Sequence, residues 1–198
     1  VYAMLMDNNR RIWLGTKGGG LTVFDGAKFK NYGEEEGLKD DKVFALYQDD
    51  SEMIWIGTGK NVIAFNGLTF SYQNLIDGNL VVSGIIQSAD GRIWVSSNKG
   101  LFYKTDKGWN SYSSDFDVLQ MDVSCLFVDK EDHLWAGNDD GLFLIKDDGY
   151  EQITTKQGLT SNKVRSINEI NGKLLVGTYG GGLNVNIDGA WKVLGAVS

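Results

Sequence analysis

The sequence has 198 residues, of which 42% are hydrophobic, and it carries a formal net charge of -7. This length can bury a core as one domain or as a short repeat array, and the acidic balance, with no basic cluster, argues against nucleic acid as a partner. No apolar run reaches the roughly 18 residues that span a bilayer, and the first segment, "VYAMLMDNNRR", lacks the order of charge, apolar block and cleavage site of a signal peptide.

The elements predicted along the chain are short strands separated by turns. The first unit follows Val1 with "RIWLGT", "GLTVFDG" and "KFKNY", and the second contains "VFALYQD", "MIWIGT", "NVIAFNG" and "TFSYQ". The third unit follows Val82 with "RIWVSS", "GLFYKTDKG" and "GWNSY", and the fourth contains "VSCLFVD", "HLWAGN", "GLFLIKDDG" and "GYEQI". The fifth follows Val164 with "LLVGT", "GLNVNIDG" and "AWKVL". Runs rich in Val, Ile and aromatic residues between Gly, Asp and Asn turns predict four strands in each unit and twenty in all.

The units recur with a period of about 40 residues. The tryptophans Trp13, Trp55, Trp94 and Trp135 each follow an aliphatic residue at intervals of 42, 39 and 41 residues, and Leu175 occupies the same column 40 residues later. A period of about 40 residues is typical of a four-stranded propeller blade or of a two-helix solenoid repeat. Because the runs have strand composition, they favour the propeller.

Each unit opens on a valine, and the residue two positions later is small. The valines are Val1, Val43, Val82, Val123 and Val164, and the small residues are Ala3, Ala45, Gly84, Cys125 and Ser166. Small residues are expected where inner strands converge on a narrow axis. Cys125 is therefore predicted to be a packing residue, since a nucleophilic cysteine needs a nearby base that lowers its pKa.

The motifs "GTKGGGL" and "GTYGGGL" begin at Gly15 and Gly177. A glycine-rich loop can bind phosphate where it opens a helix, but no helix is predicted after either copy and no Lys-Ser or Lys-Thr pair ends it. Each copy lies between the second and third strands of its unit. The sequence therefore predicts hairpin turns.

The polar residues indicate no catalytic or metal centre. The only histidine, His133, is predicted to lie in a solvated hairpin turn, and one His with one Cys cannot supply the three or four ligands of a zinc site. Asp139 and Asp140 are adjacent in sequence, which does not by itself make an acid and base pair. We therefore predict no catalytic residue, no metal and no cofactor.

The units resemble the two-component regulator propeller repeat, which occurs in the extracytoplasmic sensor regions of bacterial hybrid two-component systems. "GLKDDKVFAL" and "GLTSNKVRSI" are similar to its Gly-Leu-x-x-Asn/Asp-x-Val opening, and "DGRIWVSS" and "MIWIGT" to its Asp-Gly-x-Ile-Trp-Ile-Gly-Thr core. The junctions "GNLVVSG" and "DFDVLQMDV" and the position of Leu175 depart from the pattern. The resemblance implies a periplasmic or extracytoplasmic sensor that binds a glycan-derived ligand, joined to the remainder of a membrane-bound sensor kinase.

The predicted fold is all-β, a β-propeller of five four-stranded antiparallel blades within a single domain or fragment, residues 1–198. The blades are expected at about 1–38, 39–78, 79–118, 119–159 and 160–198. The propeller is either a closed five-bladed ring or an arc of a larger one, and the ring is slightly favoured because the end faces of an arc would be exposed and apolar. Such faces would lead the chain to associate, for example as a homodimer.

Ligand binding is predicted on the face that carries the turns between second and third strands. The residues expected there are Lys17, Lys60, Asn61, Asn98, Lys99, Asn138, Asp139, Asp140 and Tyr179. Amides, charges and a tyrosine on rigidly held turns suit a polyhydroxylated ligand. A protein interaction scaffold and a propeller lyase or hydrolase are the alternatives.

Overall fold

The computed structural model describes residues 1–76, 80–116, 120 and 122–194. It contains twenty strands in five antiparallel sheets, each of four strands in sequence order. The prediction of an all-β chain with this strand count is confirmed. Residues 77–79, 117–119, 121 and 195–198 lie outside the described residues, and they include parts of both departing junctions and the end of the fifth unit.

The strand bounds follow the predicted runs closely. The first sheet contains β1 (Ala3–Met6), β2 (Ile12–Gly15), β3 (Leu21–Phe24) and β4 (Phe29–Tyr32). The second contains β5 (Val43–Gln48), β6 (Ile54–Thr58), β7 (Val62–Phe65) and β8 (Phe70–Gln73). The third contains β9 (Val82–Gln87), β10 (Ile93–Ser97), β11 (Gly100–Thr105) and β12 (Gly108–Ser111).

A short helical segment precedes each of the other two sheets along the chain. The fourth sheet contains β13 (Cys125–Val128), β14 (Leu134–Gly137), β15 (Leu142–Lys146) and β16 (Gly149–Ile153). The fifth contains β17 (Val164–Ile170), β18 (Lys173–Thr178), β19 (Gly182–Ile187) and β20 (Ala190–Leu194). A five-residue helix, α1 (Tyr112–Phe116), follows the third sheet, and a 3-10 turn at Thr155–Gln157 precedes the fifth.

Neighbouring sheets pack against each other through the valine column of one sheet and the small residues of the sheet before it. A Cβ atom added at Gly15 would lie 2.6 Å from Val43 Cγ1, and one added at Gly57 or Gly137 would overlap the valine of the next sheet in the same way. The small residues pair across the sheet with these glycines, as Ala45 does with Gly57. The glycine column and the small-residue column of one sheet therefore leave a space that the valine of the next sheet fills. This packing explains why glycines and small residues recur in the units.

Cys125 belongs to such a hole. It pairs with Gly137, and its sulfur lies beside the position that a Gly137 Cβ would occupy, together with Val164. Burial raises the pKa of the Cys125 thiol to about 12, so the thiol is not ionised at neutral pH. This is the packing role that the sequence predicts.

A backbone hydrogen bond accompanies most of these valine contacts. The amide N–H of Val43 donates to the carbonyl of Thr16 at 2.8 Å, that of Val123 to Ser97 at 3.0 Å, and that of Val164 to Asn138 at 2.8 Å. Each bond joins the start of one unit to the end of the second strand in the unit before it. The interface between neighbouring sheets therefore contains backbone hydrogen bonds as well as apolar contacts.

Among the described residues, one face of the first sheet and one face of the fifth are more exposed than the equivalent faces of the other sheets. Val43, Val82 and Val164 are 0% exposed and Val123 is 1% exposed, whereas Val1 is 77% exposed. Leu21, Val62, Leu101 and Leu142 are 0% exposed, whereas Leu183 in the same column is 36% exposed. The nearest atoms to a Cβ at Gly177 belong to Ser166 of the same sheet. Exposed columns of this kind are expected of the end faces of an arc, and the choice between arc and ring stays a prediction.

Three tryptophan indoles are bound by an aspartate that precedes them by six residues. The indole N–H of Trp13 donates to the carboxylate of Asp7 at 2.8 Å. In the same way, Trp55 donates to Asp49 at 2.7 Å and Trp135 donates to Asp129 at 2.9 Å. The same aspartates accept backbone N–H groups of the following hairpin turn. One carboxylate thus satisfies both the buried indole and the turn.

This arrangement predicts a loss of stability in acid. Burial by itself raises the pKa of Asp129, but hydrogen bonds from the Trp135 indole and from His133 outweigh it and hold the pKa below the ordinary value of 3.8. A depressed pKa stabilises the fold above that ordinary value, and the contribution disappears as the pH falls through the folded-state pKa. We expect the free energy of unfolding to fall as the pH drops below about 4.

The variant Asp129→Asn checks the source of this pH dependence. It keeps the size of the side chain but cannot ionise, so it should be less stable than wild type at pH 7 and lose less stability on acidification. Urea unfolding followed by tryptophan fluorescence at several pH values measures both quantities. An unchanged pH profile in the variant would show that the acid sensitivity arises elsewhere.

Candidate functional site

The nine residues predicted to bind ligand lie in or beside the turns between the second and third strands of the five sheets. Gly18, Gly20 and Gly180 in the two triple-glycine turns have positive φ, which explains the glycines of the repeated motif. The hairpin-turn prediction for both motifs is confirmed by the strands on either side, β2 with β3 and β18 with β19.

Several of these residues have their polar groups in contacts that hold the turns. The side-chain oxygen of Asn98 accepts a hydrogen bond from the Val81 N–H at 2.9 Å. Asn138 is buried and its side-chain oxygen accepts from the Asp140 N–H at 2.7 Å. The carbonyl of Lys60 accepts from the Leu80 N–H at 3.2 Å. These contacts explain the asparagines as turn-forming residues.

The other predicted residues contact neighbouring rings, an arginine or the backbone of their own turns. Tyr179 is exposed, and the ammonium group of Lys163 lies 5.9 Å from its ring centre. The ammonium group of Lys17 lies 5.8 Å from the ring of Tyr2. Asp139 forms an ion pair of 2.5 Å with Arg165, which joins the fourth sheet to the fifth. Asn61 and Lys99 donate their backbone N–H groups to Thr58 and Ser97.

A large cavity lies on the opposite face, at the other ends of the strands. It is a groove of about 890 Å³ between the second and third sheets, next to the hairpin turns that join first to second and third to fourth strands. We call it the inter-sheet groove and define it by Trp55, Ala64, Ser71, Gln87, Arg92 and Asp106. A second cavity, between the first and second sheets on the same face, measures only about 200 Å³.

A pair of small side chains opens the inter-sheet groove. Ala64 on β7 pairs with Ser71 on β8. The equivalent pairs in the other sheets are larger: Val23 with Lys30, Tyr103 with Asn110, Leu144 with Glu151 and Val185 with Lys192. The wider space between the second and third sheets therefore follows from two residues of the second unit.

The groove has an apolar floor and a polar rim. The floor is formed by Trp55, Ala64 and Ile93, which are buried, and by the partly buried Met53. The side-chain oxygens of three rim amides are held: Gln87 accepts from the Asp50 N–H at 2.9 Å, Gln73 from the Trp109 indole at 3.3 Å, and Asn66 from the Thr69 N–H at 2.8 Å.

The lining carries more negative than positive charge. Its carboxylates are Asp49, Asp50, Asp90 and Asp106, against two cations, Arg92 and Lys104. Arg92 is already bound by Asp90 and, at 2.8 Å, by Asp147. Burial by itself lowers the pKa of Arg92, but its hydrogen bonds to Asp147 and Asp90 outweigh this effect and raise the pKa. The guanidinium charge is therefore balanced by the protein itself.

Two further observations concern metal ions and membranes. Within the described ranges, no group of three or more His, Cys, Asp and Glu side chains is placed to hold a metal ion. None of the helices in the part of the chain that the structure covers has the length and apolar character needed to cross a membrane.

Residues 37–60 match the model of the two component regulator propeller family. The matched segment runs from the predicted Gly-Leu opening through β5 and the Trp55 core, so the resemblance found from the sequence is confirmed. No curated protein matches the chain.

Several solved structures share its fold. The extracellular domain of a hybrid two component system from B. thetaiotaomicron is 24% identical, with a TM-score of 0.84 over 99% of this chain and 28% of that one. Virginiamycin B lyase from Staphylococcus aureus is 13% identical, with a TM-score of 0.77 over 99% of this chain and 70% of that one. PorZ, a surface component of the type-IX secretion system of Porphyromonas gingivalis, is 20% identical, with a TM-score of 0.69 over 91% of this chain and 31% of that one. The chain thus spans about a quarter of the length of the extracellular domain of the hybrid two component system that it matches.

Proposed function

We propose that this propeller region is a non-enzymatic, ligand-sensing module of a two-component signalling protein, located outside the cytoplasm and binding an oligosaccharide. The observation that carries the proposal is the match of residues 37–60 to the two component regulator propeller family. The similarity of the five-sheet scaffold to the extracellular domain of a hybrid two component system supports it. Binding would be passed to a membrane-linked kinase in the remainder of the protein.

The surface chemistry suits such a ligand. Rigid sheets hold polar turns at both ends of the strands, and binding residues commonly lie on loops that a rigid scaffold positions. The nine turn residues from Lys17 to Tyr179 stay a prediction for one face, and the inter-sheet groove offers a second place on the other. Both present amides and charges that can bond to hydroxyl groups.

A propeller enzyme is the second candidate, because the fold is also similar to that of virginiamycin B lyase. A variant of that lyase in which a histidine is replaced by alanine is catalytically inactive. Here the only histidine, His133, lies in an exposed turn with its Nδ1 atom 3.1 Å from Asp129. Asp129 also accepts the Trp135 indole at 2.9 Å. Asp129 thus has a structural role in the hairpin, and the exposed His133 side chain has no partner beyond the carboxylates of its own turn among the described residues, so we favour the binding module.

Isothermal titration calorimetry with neutral and anionic oligosaccharides tests the proposal. We expect saturable binding of at least one oligosaccharide with no change in its length on chromatography, as a non-enzymatic module requires. Cleavage of the oligosaccharide would support the enzyme instead. Absence of binding across the panel would contradict the proposal and favour the interaction scaffold.

A further inference from the structure

We infer that the inter-sheet groove between the second and third sheets is the oligosaccharide-binding site, and that it takes a neutral rather than an anionic oligosaccharide. The inference rests on the proposed function and specifies where the ligand binds and which chemical class it belongs to. It differs from the sequence-based prediction, which places the ligand on the opposite face of the sheets.

The shape of the groove is the first support. A cavity of about 890 Å³ falls within the range of about 300–1,000 Å³ that is common for ligand sites. The corresponding space between the first and second sheets measures about 200 Å³. Since the sheets share one architecture, the difference lies in the side chains, and the small pair Ala64 and Ser71 provides the extra room.

The fixed polar groups are the second support. Sugars present hydroxyl groups that need both donors and acceptors, and C–H faces that pack on apolar surface. The groove provides Trp55, Ala64 and Ile93 as a floor below a rim of amides and hydroxyls. Because hydrogen bonds already hold the Gln73 and Gln87 side chains, little side-chain entropy is lost when a ligand binds.

The charge of the lining decides between neutral and anionic ligands. Four carboxylates face two cations, and the guanidinium of Arg92 is already paired with Asp90 and Asp147. A sulfated or uronic oligosaccharide would therefore meet an excess of negative charge with no free arginine to bind it. A neutral oligosaccharide meets no such repulsion.

The test introduces a lysine side chain that would occupy the inter-sheet groove above its apolar floor. Ser71 is exposed, and lysine occupies its column in the first and fifth sheets, as Lys30 and Lys192, so Ser71→Lys should fold normally while filling the groove. Asn110→Lys is the matched control, because it makes the same change of charge in the same column of the third sheet, outside the groove. Thermal unfolding checks that both variants are folded.

Calorimetry is then performed with neutral cello-, manno- and xylo-oligosaccharides and with heparin- and polygalacturonate-derived ones. We expect wild type and Asn110→Lys to bind a neutral oligosaccharide with similar affinity, and Ser71→Lys to bind it roughly tenfold more weakly or worse. Equal affinity in Ser71→Lys would overturn the groove but leave the proposed function standing. Binding of only anionic oligosaccharides would overturn the ligand class, and binding of none by wild type would overturn both proposals.

Discussion

Replacing Trp55 or Trp94 by alanine is expected to lower the free energy of unfolding by roughly 3 to 5 kcal/mol, as for other large buried aromatic residues. Both indoles are buried. Removal of Trp55 also leaves the carboxylate of Asp49 without the indole N–H that it accepts at 2.7 Å. Trp55→Phe keeps most of the apolar surface, so it should cost less than Trp55→Ala. Urea unfolding followed by circular dichroism measures the losses.

His133→Ala is the control for the tryptophan variants. His133 is exposed, and its substitution should change the free energy of unfolding by no more than about 0.5 kcal/mol. Equal unfolding midpoints for the tryptophan and histidine variants would contradict the interpretation of the tryptophans as the core of each unit.

Leu142→Ala is expected to destabilise the chain far more than Leu183→Ala, although the two leucines occupy the same column. Leu142 is 0% exposed beneath the fifth sheet, and Leu183 is 36% exposed. Truncating a fully buried leucine costs about 2 to 5 kcal/mol, whereas the partly exposed leucine should cost about 1 kcal/mol or less. Denaturant unfolding of the two variants beside wild type gives the comparison.

Similar large losses for both variants would mean that the outer face of the fifth sheet is covered in solution. Sedimentation of wild type would then show whether a second copy of the chain provides the cover. A monomer with a strongly destabilising Leu183→Ala would point instead to contact between the fifth and first sheets, as in the closed ring.

The sequence predicts most of the scaffold because the repeat presents each structural constraint several times. A valine that must fill a hole between small residues recurs at Val43, Val82 and Val164, and the tryptophan column recurs with it. The hairpin turns are equally predictable, because positive φ restricts them to glycine and a few polar residues. The short helix α1 is not predicted, and it follows the third sheet at the junction where the sequence pattern departs from the repeat.

The candidate sites are less predictable because they depend on which side chains face each other across two sheets. Ala64 stands out as small in a column of Val23, Tyr103, Leu144 and Val185, yet only the packed structure shows that its neighbour is the third sheet. The aspartate six residues before Trp13, Trp55 and Trp135 is a sequence signal that reasoning from strand patterns missed. Asn138 looks like an exposed turn residue in the sequence, but it is buried, its backbone carbonyl accepts from the Val164 N–H of the fifth sheet, and its side-chain oxygen accepts from the Asp140 N–H within the turn.

The account depends most on whether the outer face of the fifth sheet is uncovered, which thiol labelling measures directly. In a Cys125→Ser background, which removes the only native thiol, Leu183→Cys and Leu142→Cys each place one cysteine at the same column of adjacent sheets. Under native conditions at low protein concentration, the cysteine at position 183 should react with a maleimide at nearly the rate of an unfolded control. The cysteine at position 142 should react only as fast as the chain unfolds. Equal protection of both cysteines would contradict the arc.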